Sequence, residues 1–94
     1  MRAGAVPVHG THPIVIRVLA FGRLRELLNA GETALHIRAG SRVGDAWSAL
    51  AERCPALDEH RSSTRIACNG RIVALDHVLR DGDEVALLPP VGGG

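Results

Sequence analysis

Lysine and tyrosine are absent from this 94-residue chain, and Phe21 and Trp47 are its two aromatic residues. With so few rings the core has to be aliphatic, and there is no aromatic platform on which nucleobases could stack. All eleven basic residues are arginines, scattered along the chain, and the formal net charge is only +1. No field of one sign is available to steer a nucleic acid or a membrane surface to it. Without lysine, the chain offers no side-chain amine to accept an isopeptide bond. Cysteine is scarce too. Cys54 and Cys68 are isolated thiols, not a CxxC pair, so they announce neither a zinc site nor a disulfide framework. A reduced, cytoplasmic setting is the default expectation. No apolar run approaches a membrane span, and Met1–Val8 is too short and too weakly apolar for a signal peptide.

What is present is a chain 46% hydrophobic, enough for the core of one small domain and too much for a disordered protein. Residues 1–13, with two prolines, two glycines and His9-Gly10-Thr11-His12, read as a flexible extension. The His-x-x-His has no carboxylate or Cys nearby, so no metal is expected. Residues 14–90 read as the domain. Ile14–Phe21 has the β-branched, aliphatic character of a strand, with Arg17 toward water and Ile16, Val18 and Ala20 inward. Gly22–Asn29 reads as a short amphipathic turn or helix, and Thr33–Arg38 as a second strand. A helix follows, capped by Ser41 or a neighbour and running to about Cys54. Its apolar stripe is Val43, Ala46, Trp47, Leu50 and Cys54. Pro55 stops it. Asp58–Ser63 reads as a polar loop containing a solvated His60. Arg65–Cys68 and Arg71–Val73 flank Asn69-Gly70, the strongest hairpin signal in the chain. Asp76–Asp83 reads as a loop and Glu84–Leu88 as the last strand.

The order β-β-α-β-β-β predicts an α+β fold: one main helix across a mixed four- to five-stranded sheet. Its crossovers are too few for a doubly wound fold. The pattern suits a β-grasp (ubiquitin-like) roll in which the first and last strands pair in parallel. Pro89-Pro90 then ends the sheet, since neither residue can donate to a ladder, and favours an extended exit. After it comes Val91-Gly92-Gly93-Gly94, read as a flexible tail. Glycine contributes nothing to a core, but it makes a thread thin enough for a narrow site on another protein. Four extended residues reach about 13–14 Å.

Two segments carry a family resemblance: Ile16-Arg17-Val18-Leu19-Ala20-Phe21-Gly22-Arg23-Leu24-Arg25-Glu26-Leu27, and Leu79-Arg80-Asp81-Gly82-Asp83-Glu84-Val85-Ala86-Leu87-Leu88-Pro89-Pro90-Val91-Gly92-Gly93-Gly94. The chain from about Ile14 onward resembles the small subunits of molybdopterin synthase, which are ubiquitin-like sulfur carriers. It departs from them in the extension at residues 1–13 and at Gly92, where the family usually has Ala or a residue with a longer side chain. The resemblance implies a chain that is no enzyme alone but the small subunit of a sulfurtransferase complex. An ATP-dependent, ubiquitin-activating-like adenylyltransferase would adenylate the Gly94 carboxylate, and a sulfur donor protein would convert it to a thiocarboxylate. The tail would then enter the large subunit, in a complex of two small and two large subunits. There it would give its sulfur to cyclic pyranopterin monophosphate in molybdenum cofactor biosynthesis.

Gly94 and Gly93 are thus the reactive end, with no cofactor or metal of the chain's own. Phe21, Ile72, Leu88, Pro89, Pro90, Val91 and Gly92 would meet the partner. The residues are compatible with this role. A carboxylate becomes a competent electrophile once AMP is its leaving group, and no His, Asp and nucleophile form a catalytic constellation. Phe21 and Leu88 share strand parity with Arg17 and Glu84, so they are expected to face solvent, where clustered apolar side chains mark an interface. Three alternatives stand beside this reading: a carrier for thiazole, cysteine or thiolated-RNA synthesis; a protein modifier acting through Gly94; and an adaptor that does not need the tail.

Overall fold

Strand β1 (Pro13–Ala20) decides where the core lies. It buries Ile14, Ile16, Val18 and Ala20 and turns Pro13, Val15 and Arg17 outward, the period of two that a half-covered sheet requires. The computed structural model describes residues 13–90. The expectations for residues 1–12, and for Val91, Gly92, Gly93 and Gly94, fall outside them. After β1 come α1 (Gly22–Leu28), β2 (Glu32–Arg38), α2 (Val43–Arg53), a 3₁₀ helix (Pro55–Ser63), β3 (Arg65–Cys68), β4 (Arg71–Val73) and β5 (Glu84–Leu88). The sheet has five strands in the order β2-β1-β5-β3-β4. β1 and β5 pair in parallel, and the other pairings are antiparallel. This is the β-grasp arrangement expected from the sequence.

Helix α2 crosses one face and buries Val43, Ala46, Trp47 and Leu50. Cys54 ends the stripe half-buried, its thiol donating to the Leu27 carbonyl at 3.4 Å. The helix cap is Arg42, next to the expected Ser41. Its backbone N–H donates to the Asp45 carboxylate at 2.8 Å, while the Asp45 N–H donates to the Arg42 carbonyl. The loop before β5 satisfies the first helical amides. Val43 N–H donates to the His77 carbonyl and Gly44 N–H to that of Leu75, so donors that would lack intrahelical partners are paired.

Two segments correct the sequence reading. Asp58–Ser63 is no free loop. It belongs to the 3₁₀ helix Pro55–Ser63, which starts on a proline suited to a first helical turn. Leu57 anchors it and is completely buried, while Asp58 Oδ1 accepts the Trp47 indole N–H at 2.9 Å. His60 is half-buried, and its carbonyl accepts the Thr64 hydroxyl at 2.6 Å. The stretch Asp76–Asp83 is irregular, yet Leu79 within it is 2% exposed. The Leu79 N–H donates to the Ser41 carbonyl, and Arg42 and Val78 form an isolated bridge. One leucine among polar residues has no periodicity to reveal it.

Trp47 holds two layers together, its ring in the core and its N–H on the 3₁₀ helix. Trp47→Phe is expected to lose about 1–3 kcal/mol of unfolding free energy, from the missing hydrogen bond and the smaller ring. Urea unfolding followed by circular dichroism measures this, since the substitution removes the only tryptophan.

Candidate functional site: the β5 exit and the open sheet face

Three residues before β5 tie it down on both sides. Asp81 Oδ1 accepts the Val15 N–H, and the Gly82 N–H donates to the Val15 carbonyl, both at 2.8 Å. Gly82 takes φ +87 to make the turn, a conformation that glycine adopts without penalty. The Arg17 N–H then donates to the Asp83 carbonyl at 2.9 Å, ahead of the parallel ladder with β1. On the other side, Asn69 and Gly70 have φ values of +52 and +88, the left-handed pair that a tight hairpin wants. Asn69 does more than turn the chain. Its Oδ1 accepts the Glu84 N–H, its Nδ2 donates to Asp83 Oδ1, and its own N–H donates to the Glu84 carbonyl. The sequence reading took Asn69 as a turn residue only; nothing in a local Asn-Gly signal points to a partner 14 residues away.

This clamp perturbs two ionisable groups. Burial, then the neighbouring Asp83 charge, push the Cys68 thiol up to about 11 from an ordinary 9.0. For Asp83, burial alone would raise the pKa. Hydrogen bonds from the Arg80 N–H, Asn69 and Cys68, together with His77, outweigh it and hold the carboxyl below its usual 3.8. Both groups serve the anchor of β5, not its free end.

The exit itself is built from β5, α1 and the 3₁₀ helix. β5 ends at Leu88, opposite Arg65 of β3, and one residue earlier Leu87 lies opposite Ala20 of β1. Pro89 then passes over Gly22, which has φ +57; a Cβ there would lie 3.2 Å from Pro89 Cγ. Gly22, Arg23, Leu24, His60, Thr64, Pro89 and Pro90 line a cleft of about 360 Å³ at this point. The sequence reading did not single out Gly22.

Among the described residues nothing covers the sheet face away from α2, and this open face carries a run of apolar side chains. Pairing sets Leu19 opposite Ala86, Ala86 opposite Ala67, and Ala67 opposite Ile72. Phe21 and Ile72 are 46% and 57% exposed. Phe21 differs in one respect. β1 stops at Ala20, and Phe21 caps α1 in an extended conformation, because the αL turn at Gly22 diverts the chain. Leu88 faces the same side but is half-buried, as are Leu19, Ala86 and Pro89, whereas Pro90 is exposed. Ile72 also lines a groove of about 650 Å³ beside β4, with Ile66, Leu75, Arg61 and Arg65 among its walls. The opposite flank of the open face is polar, where Arg17 meets Glu84 at 2.6 Å and Glu32 at 3.6 Å.

Among the described residues, no three of His, Cys, Asp and Glu come together to hold a metal ion, and no helix is long and apolar enough to cross a membrane.

Residues 18–94 match the ThiS family. The chain belongs to that family. The molybdopterin synthase sulfur carrier subunit of Mycobacterium tuberculosis is 37% identical over 82 residues, covering 86% of this chain and 99% of the relative. Small archaeal modifier protein 1 of Haloferax volcanii is 33% identical over 82 residues, covering 79% and 94%. Among solved structures, a putative molybdopterin converting factor subunit 1 from Pyrococcus furiosus superposes with a TM-score of 0.76 at 31% identity, covering 83% of this chain and 99% of that one. A complex of subunits 1 and 2 of molybdopterin-converting factor from Helicobacter pylori gives 0.59 at 29% identity, covering 86% and 100%. These ThiS-family relatives share the β-grasp architecture described above.

Two measurements check the exit and its anchor. Gly22→Val puts a β-branched residue at positive φ against Pro89. It is expected to cost about 1–3 kcal/mol and to shift the NMR signals of Pro89 and Leu88 more than those of β4. Asp83 contributes stability while ionised, and that contribution is lost as pH falls through its lowered folded-state pKa. The stability gap between wild type and Asp83→Asn is therefore expected to be full above the ordinary value of 3.8 and to shrink below it, read from urea midpoints across an acid pH series.

Proposed function

We propose that this chain is the sulfur carrier subunit of a molybdopterin synthase. The observation that carries the reading is a ThiS-family match that runs from the head through the central strand to Gly94, with 37% identity to a relative bearing that name. In this reading the Gly94 carboxylate attacks the α-phosphate of ATP on an activating enzyme and pyrophosphate leaves. The outer sulfur of a donor persulfide then attacks the acyl carbon and AMP departs with one former carboxylate oxygen, leaving an acyl disulfide to the donor. A thiol attacks the donor's sulfur of that disulfide, forms a disulfide with the donor and releases the carrier's sulfur. The product is a thiocarboxylate, largely ionised at neutral pH as thiolates of low pKa are, and a ready sulfur nucleophile. Gly93 and Gly94 have no side chains, so only backbone need enter a partner's tunnel. The acceptor is cyclic pyranopterin monophosphate, held in a large subunit, and the setting is cytoplasmic.

The open face supplies the docking surface in this reading. Phe21, Ile72 and Leu88 border the Leu19–Ala86–Ala67 row and meet the large subunit, while Pro89, Pro90, Val91 and Gly92 bridge to its active site. The complex of subunits 1 and 2 from Helicobacter pylori supports a large-subunit partner, and two small subunits on a large-subunit dimer is the expected assembly. The similarity to small archaeal modifier protein 1 supports a second reading, in which activated Gly94 is transferred to a lysine of another protein.

Incubation of the full chain with a competent activating enzyme, ATP and a sulfur donor is expected to produce one oxygen-to-sulfur exchange at Gly94 by intact mass. A chain lacking Gly93-Gly94 gives none. No exchange in the complete chain would sink the carrier reading. Addition of a large subunit and the pyranopterin precursor separates the molybdopterin pathway from other sulfur acceptors, and conjugates to other proteins would favour the modifier. Phe21→Ala with Ile72→Glu is expected to leave the circular dichroism unchanged and weaken large-subunit binding by about 10-fold or more, the scale of a truncated hot spot.

A further inference from the structure

Strand β2 is an outer strand of the sheet, and among the described residues no further strand lies on its free side. The β1–β2 hydrogen-bond phase shows which of its backbone groups are free. The Ala20 N–H donates to the Gly31 carbonyl at 2.9 Å, one step beyond the Leu19–Glu32 pair. In an antiparallel ladder the bonded pairs recur every second residue. Val18–Thr33, Ile16–Leu35 and Ile14–Ile37 are therefore the bonded pairs. Glu32, Ala34, His36 and Arg38 turn their N–H and C=O groups away from β1. The Arg38 carbonyl accepts from the Ser41 N–H at 3.1 Å, and the Ala34 carbonyl accepts from the neighbouring Thr33 hydroxyl at 3.5 Å. The remainder form an edge seven residues long, with no proline or bulge to blunt it.

The sequence of this edge is complementary to itself. If two copies align antiparallel with Leu35 opposite Leu35, then Ala34 lies opposite His36 and Glu32 opposite Arg38, twice by the two-fold axis. These four residues are the ones whose backbone groups point away from β1, so hydrogen-bond phase and charge select the same register. Sliding by two residues in one direction sets Ala34 opposite Ala34 and leaves Arg38 without its acidic partner. The other direction sets His36 opposite His36 and strands Glu32. On the inner face Thr33 and Ile37, both half-buried, would meet across the seam.

We propose that the β2 edge is a self-association surface, through which two copies of this chain pair antiparallel over residues 32–38 into one continuous ten-stranded sheet. β1 separates β2 from β5, so the seam, on the far side of β2, lies about two and a half strand spacings, roughly 12 Å, from the strand that leads to the exit. The inference does not depend on the sulfur-carrier reading.

Sedimentation equilibrium and amide exchange by NMR, on the full chain at concentrations up to about 1 mM, test the pairing. The expected result is a monomer–dimer equilibrium, with protection of the Ala34 and His36 amides rising with concentration. Ala34→Pro removes an amide that no bond to β1 uses, a place where an edge strand tolerates proline. It is expected to leave a folded monomer. Glu32→Arg and Arg38→Glu each set like charges opposite one another, and each is expected to weaken association by about 10-fold or more. An equimolar mixture of the two is expected to form a heterodimer with both ion pairs restored. A monomer at every concentration overturns the proposal. So does a dimer that survives Ala34→Pro, a mixture that does not reassociate, or protection of β2 that is independent of concentration; that last result would assign the edge to another part of the same chain.

Discussion

The parallel pairing of β1 with β5 is the constraint on which the rest of the structure depends. It sets the last strand in the middle of the sheet, between β1 and β3, and sends the chain out from there. Val18 and Val85 lie opposite each other in this pairing, each 1–2% exposed. On the outer face the Arg17–Glu84 pair holds the same register, although at this exposure an ion pair contributes little on its own. The Asp81-Gly82-Asp83 segment starts the ladder and Asn69 locks it from the β3–β4 side. The exit at Pro89 is therefore fixed by buried contacts and backbone bonds on both flanks.

The helices pack on one face, and this leaves the sheet with two different surfaces. The inner face buries Trp47, Leu50, Leu57 and their neighbours against the strands. The outer face keeps Leu19, Ala86, Ala67 and Ile72 in a row that no second layer covers among the described residues. A monomer has nothing to gain from so continuous an apolar row, and interfaces do. The two perturbed groups, Cys68 and Asp83, lie where β5 begins, five or more residues before the exit.

Much of this was legible in the sequence, and what was missed has a common cause. Period-two patterns gave β1, β2 and β5, helical spacing gave α2, and Asn69-Gly70 gave the hairpin, because each is a local signal. The resemblance in the Asp-Gly-Asp-Glu-Val-to-glycine segment pointed to the family in which the chain falls. The missed features are contacts between distant residues: Leu79 against the α2 cap, Leu57 beneath a polar run, Asn69 on Asp83, and Pro89 over Gly22. Strand parity predicts an exposed Phe21, and it is exposed, though the strand ends one residue before it. Parity puts Leu88 on the Glu84 face, while Ile72 comes from the resemblance alone; only the sheet order shows how Ala67 and Ala86 connect them.

The sheet order also dictates when the molecule can finish folding. Before β5 inserts, β1–β2 and β3–β4 are two ladders with no hydrogen bond between them, and the partners that join them are 67 residues apart at Arg17 and Glu84. Closing so long a loop precedes the contacts that reward it, which makes this topology slower than a helical bundle of the same size. During synthesis the central strand emerges after every other element of the sheet. A head complete enough for another protein to grip and a correctly aimed exit strand therefore arise in the same event. A partner that recognises the open face is reading, in effect, whether folding has finished.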